Sequence, residues 1–372
     1  MHYTSVSIFH MMKSFVFLLI SVFLFSCSGK QTVKTDKLTV YDSISVSIDY
    51  PILSQYIKLV PYSKGDTIYV TGYNYFEHSI DFVNLGNGEN FILSLQREGP
   101  DGVLPVQEYC FVENKIVCKD ESGVVTLAMD GRVLNRLPIK ELTEPTDKYS
   151  VRPLGFSLSN YMYLNSRENK VFIPLSPIKK ADAVHIGKIY DVSLNRLEFF
   201  PPCYPPEVID YTQYLGGLSI PDINMYGIGK IVYNFPFCSQ VYLYNMETSQ
   251  SEVFDIRSST IYNNIDFEEW KDIDTVEKSK KELYMPRFGR VYYSSTMKKF
   301  YRIHFAAKEE GVGKLRKTYL MIFDENANSI QEYLLPSQFS EQYFFLHDTL
   351  YFACRNSNDT SLNIARINLS GL

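Results

Sequence analysis

Cysteine and histidine are the side chains of this chain best able to do chemistry, and their spacing decides which kind. There are six of each. His2, His10, His78, His185, His304 and His347 show no interval of the sort a zinc or iron site uses, so isolated polar positions are expected for them, with no metal and no cofactor. Cys110, Cys118, Cys203, Cys238 and Cys354 are five thiols and cannot all pair. Cys118 in KIVCKD, Cys238 in FPFCSQ and Cys354 in YFACRN each fall late in a strand-like run, which predicts separate buried thiols. Cys110 and Cys118 would face each other, and could bridge, across a three-residue loop at Glu113-Asn114-Lys115. A two-residue loop would offset them and leave small apolar packing instead. No G-x-S-x-G, no phosphate-cradling glycine loop and no H-E-x-x-H is present, so no catalytic residue is assigned.

The sixth thiol, Cys27, has a different setting. Lys13 precedes the apolar run FVFLLISVFLF (15–25), and Ser26-Cys27-Ser28 follow. Eleven residues are too few for a membrane-spanning helix, which needs about 20. A basic residue, a short apolar core and a small residue before a cut describe an export signal. Leu24-Phe25-Ser26-Cys27 resembles the bacterial lipoprotein processing box, which implies that Cys27 is acylated and becomes the mature N-terminus, a lipid anchor. An ordinary cleaved signal with an incidental Cys27 is the alternative. Residues 1–26 are then a lipoprotein signal peptide and 27–38 a polar tether. Met12 makes a more natural start than Met1. One lysine and no acid leave with the signal, so the mature charge is −6 against −5 for the whole chain.

The elements that must position the remaining residues are strands. The chain has 29 Tyr and 25 Phe, residues that favour pleated surfaces, which points to an all-β class. No basic cluster tracks a surface, which excludes nucleic acid as a partner. Six sites repeat one pattern of alternating strand, tight polar turn and second strand: SIDFVNLGNGENFILSL (79–95), VVTLAMDGRVLNRL (124–137), KIYDVSLNRLEFF (188–200), QVYLYNMETSQSEVFDI (240–256), TYLMIFDENANSIQEYLL (318–335) and the terminal ARINLSGL. A further strand pair lies upstream of most of them. Four strands per unit at intervals of about 44 to 79 residues is the period of a β-propeller, and six turns predict six four-stranded antiparallel blades over residues 39–372. The last unit lacks its fourth strand. KLTVYDSISVSI, near the start, alternates strongly and is expected to supply it, closing the ring and covering an open edge.

The stretch REGPDGVLPVQEYCFVENKIVCKDESGVVTLAMDGRVLNRL (97–137), with its Gly-Pro-x-Gly step and its D-G-R-V turn, resembles the six-bladed, NHL/TolB-like propeller lipoproteins of Bacteroidota. Many of these are proteins of unknown function, and the resemblance supplies no catalytic residue. Gly99, Pro100 and Gly102 read as turn residues between blades.

One insertion interrupts the repeat at IYNNIDFEEWKDIDTVEKSKKELYMPRF (261–288). Asp266-x-x-Glu269 resembles a capping box, acids precede lysines along the segment, and Phe267, Trp270, Ile273 and Val276 form one apolar stripe. A helix of about four turns over 261–286 is predicted. Its stripe either covers a blade joint or makes a lid or partner-binding element with Trp270 as anchor and Phe267 beside it. A second loop, PPCYPPEVIDYTQYLGGLSIP (201–221), is rich in proline and tyrosine, and loops on a rigid scaffold commonly carry function.

These features imply a monomeric, non-enzymatic binding module of the cell envelope, held to the outer membrane through Cys27 and recognising a protein or a glycan. No acidic run follows Cys27, which favours the periplasmic side over the cell surface. The alternative is a hydrolase or lyase using carboxylates that converge on the central channel.

Overall fold

Hairpins nucleate this fold because its turn residues tolerate positive φ. Glu113 (φ 52°), Asn195 (φ 50°), Ser249 (φ 55°) and Ala327 (φ 56°) occupy the left-handed region in successive hairpins, as does Gly131 (φ 87°) in the Asp130-Gly131 turn. Short polar side chains lock these turns from within: Asp191 Oδ1 accepts from the amides of Ser193 (3.0 Å) and Leu194 (2.9 Å). At Gly123 (φ 146°) a Cβ would lie 2.0 Å from the Leu137 carbonyl oxygen, so only glycine fits.

The computed structural model describes residues 34–39, 41–47, 56–145, 148–150, 169–177, 184–205, 208, 220–259, 270, 272–308, 316–327, 330–354 and 361–372, all within one compact unit spanning Lys34–Leu372. Cys27, Phe267 and the Asp266-x-x-Glu269 box lie outside the described residues. The fold is an all-β propeller of six antiparallel blades. Blade 1 comprises Tyr56–Lys64, Thr67–Asn74, Ser79–Asn84 and Asn90–Ser94. Blade 2 comprises Glu108–Val112, Lys115–Lys119, Gly123–Ala128 and Val133–Pro138. Blade 3 contributes Lys170–Pro174, Gly187–Asp191 and Arg196–Phe199 among the described residues. Blade 4 follows with Asp222–Gly227, Lys230–Asn234, Gln240–Asn245 and Gln250–Asp255. Blade 5 has Arg287–Ser294, Lys299–Phe305, Thr318–Asp324 and Ile330–Leu334. Blade 6 has Phe339–Leu346, Thr349–Cys354 and Ser361–Asn368.

Blade 6 is completed from the other end of the chain, as the missing strand requires. Asp42–Ser47 pairs antiparallel with Ser361–Asn368, from Asp42 opposite Arg366 to Ser47 opposite Ser361, and Arg366 Nη2 meets Asp42 Oδ2 at 3.2 Å. The start of the chain holds a second strand as well. Lys34–Lys37, inside the segment read as a tether, lies parallel to Ile330–Leu334 and makes a fifth strand on blade 5. The pattern KTDK carries no apolar alternation, so nothing in it announced a strand; backbone pairing holds it, with Thr35 Oγ1 against Ser259 Oγ at 2.6 Å.

Apolar clusters seal the joints. Tyr62, Phe82, Phe111 and Cys118 pack between blades 1 and 2; Phe172, Phe200, Phe235 and Tyr244 between blades 3 and 4. Tyr301, Phe305, Phe352 and Ile367 join blades 5 and 6, and Leu59, Val70, Tyr351 and Ile364 join blades 6 and 1. The thiols take part as small apolar groups. Val112 pairs with Lys115 around a two-residue turn, so Cys110 stands opposite Val117 while Cys118 stands opposite Tyr109, and the two thiols are offset and form no disulfide.

Of the insertion, residues 261–269 and 271 lie outside the described residues. The helix is Thr275–Tyr284, ten residues long, capped by Asp274, whose side chain accepts from the Glu277 amide at 2.9 Å. Asp274-x-x-Glu277 is a second capping box, and it starts this helix between Ile273 and Val276 of the stripe. As a result Val276 points outward, 80% exposed, while Trp270 is 4% exposed within the core of blades 2 to 4, with Ile273 packed against it.

Candidate functional site

Each inner strand starts at the same end of the ring, where its blade's second strand finishes and where the connections between blades emerge. This follows from the alternating strand directions, and it places the long insertions on one face. A charged residue stands within the first few positions of every described inner strand: Lys58 in YIKLV, Glu108 in EYCFV, Asp222 in DINMYG, Arg287 and Arg290 in RFGRVYYS, and Glu341 in FSEQYFFL. Three of these strands are irregular at that height. Pairing skips between Tyr56 and Leu59, between Phe288 and Val291, and between Phe339 and Tyr343. Bulges re-aim side chains, and these carry Lys58, Arg290 and Glu341.

The charges meet across blade boundaries. Lys58 Nζ pairs with Glu108 Oε1 from blade 1 to blade 2, with side chains 8% and 0% exposed. Arg290 Nε stands 3.8 Å from Asp222 Oδ1, from blade 5 to blade 4. Arg287 pairs with Glu341, from blade 5 to blade 6, and Arg316 Nε approaches the other oxygen of Glu341 at 3.5 Å. The pairs are not independent. Burial and the charge of Glu108 raise the Cys110 thiol on blade 2, and Arg290 opposes them from the opposite blade. Burial and Asp222 likewise raise the Tyr343 hydroxyl on blade 6, against Arg290 and Arg287. Lys119, donating to Gln107 Oε1 at 3.0 Å, is pushed down to about 8 by burial.

Gly289 makes room here. A Cβ on it would lie 2.0 Å from the Tyr343 hydroxyl oxygen, so glycine lets blade 6 close against the Arg290 bulge. Asn234 Nδ2 donates to the Gly289 carbonyl at 3.1 Å, fixing the bulge from blade 4.

The helical insertion is tied to the same end. Arg316 donates to the carbonyls of Leu283 and Met285, the last turn of the helix, and to Ala306 at 3.2 Å; Lys308 N–H donates to Tyr284 O at 2.7 Å. A guanidinium at a helix C-terminus is favourably placed against the helix dipole. Burial lowers Arg316 to about 10. Trp270 reaches inward beneath this insertion. Exposed aromatics on this face are found instead at Tyr75 and Phe76, in the turn after the second strand of blade 1.

The histidines are elsewhere. His78 and His304 are buried rather than surface positions: His78 Nδ1 meets Tyr73 Oη at 2.7 Å, and His304 Nε2 meets Glu332 Oε1 at 2.9 Å. His185 Nδ1 meets the Phe200 carbonyl at 2.9 Å and its ring stacks on Phe199 at 4.8 Å. Near it, a hollow of about 620 Å³ on blade 3 is lined by Glu141, Glu144, Pro145, Lys188, Leu197 and Phe199. Lys188 donates to Glu141 O at 2.9 Å and lies 4.8 Å from the Phe199 ring centre, so the hollow's cation is held from within. Among the described residues no three metal-ligating side chains cluster, and no helix is long and apolar enough to cross a membrane.

The sequence profile of a domain of unknown function, DUF4221, matches residues 25–334. None of the curated proteins matches the sequence. Among solved structures, a DUF4221 family member from Bacteroides vulgatus ATCC 8482 superposes with a TM-score of 0.65 at 11% identity, covering 89% of this chain and 98% of its own. A candidate exported protein of Bacteroides fragilis NCTC 9343 superposes with a TM-score of 0.51 at 12% identity, covering 90% of this chain and 98% of its own. At these identities the likeness concerns the fold.

Proposed function

For a chain that belongs to the DUF4221 family, we propose the role of a lipid-anchored binding module of the cell envelope, which takes its ligand at the charged end of the propeller. One observation carries this reading: Lys58, Glu108, Asp222, Arg290 and Glu341, from five blades, converge on the face where the long connections emerge. Concave sites with a few convergent polar groups on a rigid scaffold are where propellers and related folds bind. Each carboxylate faces a cation, which suits recognition better than proton transfer, since a general acid needs a proton that a neighbouring cation disfavours. The insertion contributes from above, with Trp270 buried beneath it and Val276 and Leu283 exposed. The export signal read before Cys27, and the likeness to a candidate exported protein of Bacteroides fragilis, support a location on the outer membrane facing the periplasm.

Affinity capture from envelope extracts, run beside a glycan array with the form starting near residue 30, tests the reading. A ligand retained by the native protein and lost on reversing Arg290 or Glu341 supports it; a ligand indifferent to both defeats it. Because Glu108, Asp222 and Glu341 share this face with Arg290, a hydrolase or lyase is the second reading, and turnover of the captured ligand would establish it.

A further inference from the structure

The hollow on blade 3 offers both room and access. Its volume of about 620 Å³ is of the size that small ligands occupy, and Glu141, Glu144, Pro145 and Phe199 on its wall are exposed. Glu141 and Glu144 follow the outer strand of blade 2, Lys188 stands near the start of Gly187–Asp191, and Phe199 ends Arg196–Phe199. By the alternation of strand directions these lie on the face where the long connections emerge, at its rim between blades 2 and 3. The short helix Ile139–Thr143 is anchored by the fully buried Leu142, and it sets Glu141 and Glu144 one turn apart beside the hollow. Neither carboxylate meets a cation or a donor among the described residues. At the base, Lys188 is only 5% exposed. An ammonium has three N–H donors. One is taken by Glu141 O at 2.9 Å, and a second is covered by the Phe199 ring, centred 4.8 Å from Nζ. The third has no acceptor among the described residues, and a buried charge short of a partner is costly until one is supplied. Burial lowers Lys188 from its ordinary value, while Glu144 and Glu141 act against that shift. The two carboxylates therefore act on the ammonium without reaching it, and the space between the opposite charges is the hollow.

We propose that this hollow binds a basic α-amino acid, free or as the C-terminal residue of a peptide, its carboxylate on Lys188 and its side-chain cation at Glu141 and Glu144. The site is separate from the axial charges and does not depend on their taking a ligand. Charge complementarity decides the class. Two carboxylates and one ammonium give the lining a charge of −1 among the described residues, which free lysine balances in full. A simple anion would reach Lys188 only past two like charges, and a simple amine would meet the ammonium itself. An amino acid places its carboxylate and its side-chain cation at opposite ends of one molecule, as the lining does with its own charges. The aliphatic stem between them has Leu197, Pro145 and the open part of the Phe199 ring to lie along.

Ligand-observed NMR titration of the full-length chain in detergent tests this with L-lysine, Nα-acetyl-lysine, lysinamide, norleucine and glucose. Lysine is expected to bind and glucose to give no response. Lysinamide should bind at least about tenfold more weakly, because it brings no carboxylate to the buried ammonium. Norleucine should bind about fivefold more weakly, for want of the cation that meets two exposed carboxylates. Nα-acetyl-lysine binding as tightly as lysine, or more tightly, identifies a peptide end as the source, and weaker binding identifies the free amino acid. In E144Q the preference for lysine over norleucine is expected to shrink, and in K188Q lysine and lysinamide are expected to bind alike. Structural damage would weaken every ligand together and produce neither pattern. Equal binding of lysine and norleucine, equal binding of lysine and lysinamide by the unaltered chain, or a response to glucose matching that to lysine would each overturn the proposal. A chain that captures an envelope ligand through Arg290 but ignores lysine loses this site and keeps the proposed function. A chain that binds lysine and captures nothing through Arg290 keeps this site alone.

Discussion

Blade 5 holds two buried charged groupings, and they are built on opposite plans. At its rim, Glu332 lies on the outer strand with no exposed surface. Its carboxylate accepts from Ser258 Oγ (2.8 Å), the Ser259 amide (3.0 Å), Ser259 Oγ (2.7 Å) and His304 Nε2 (2.9 Å). Nearby, the fully buried Arg302 donates to the carbonyls of Ser239 and Ile256 and lies 4.0 Å over the Phe288 ring. These contacts tie the exit of blade 4 to blade 5. At the axis, by contrast, Arg290 keeps open N–H groups beside a carboxylate it does not reach. The carboxylate of Glu332 has its acceptor sites filled by its own chain, whereas the guanidinium of Arg290 meets its neighbouring carboxylate only at 3.8 Å.

That contrast can be broken by experiment. E332A should cost most, about 3–5 kcal/mol in denaturant unfolding, because it leaves the fully buried His304 without its carboxylate partner. Arg302→Met should cost about 2–4 kcal/mol, leaving two carbonyls without donors. Acidification should weaken the rim next. Burial holds His304 below its ordinary 6.5, and His304 with Ser259 holds Glu332 below the carboxylate range. Both depressed groups contribute stability above their unfolded values and lose it as protons bind, so the thermal midpoint should fall as pH drops below about 6.5, and less in an E332Q, H304Q double variant. S259A should cost about 1 kcal/mol. R290Q should change stability least, within about 1 kcal/mol, since what it removes is incompletely paired. A cost for R290Q equal to that of E332A would erase the distinction between the two groupings.

The architecture was legible because it is written locally. Asp130-Gly131 and Asn195 announce their turns, alternation announces the strands between them, and the missing fourth strand of the last unit pointed to Asp42–Ser47. The channel mouth was not legible, since Lys58, Glu108, Asp222, Arg290 and Glu341 are brought together only by the ring. A signal did exist: a lone charge near the start of an otherwise apolar inner strand, repeated blade after blade, becomes visible once the units are aligned. The bulges that aim those charges leave no such trace. The stripe Phe267-Trp270-Ile273-Val276 misled in its last member because Asp274 restarts the helix and turns Val276 outward.

The seam formed by Asp42–Ser47 and Ser361–Asn368 joins segments more than 300 residues apart. At a synthesis rate of about 5–20 residues per second, the first half of that seam waits roughly 15–60 s for the second. Its composition, DSISVS, suits the delay: polar residues at every other position keep a lone ribbon soluble and discourage it from annealing to a neighbouring nascent chain. Closure of blade 6 thus waits on Ser361–Asn368, and until then Asp42–Ser47 is an unpaired edge.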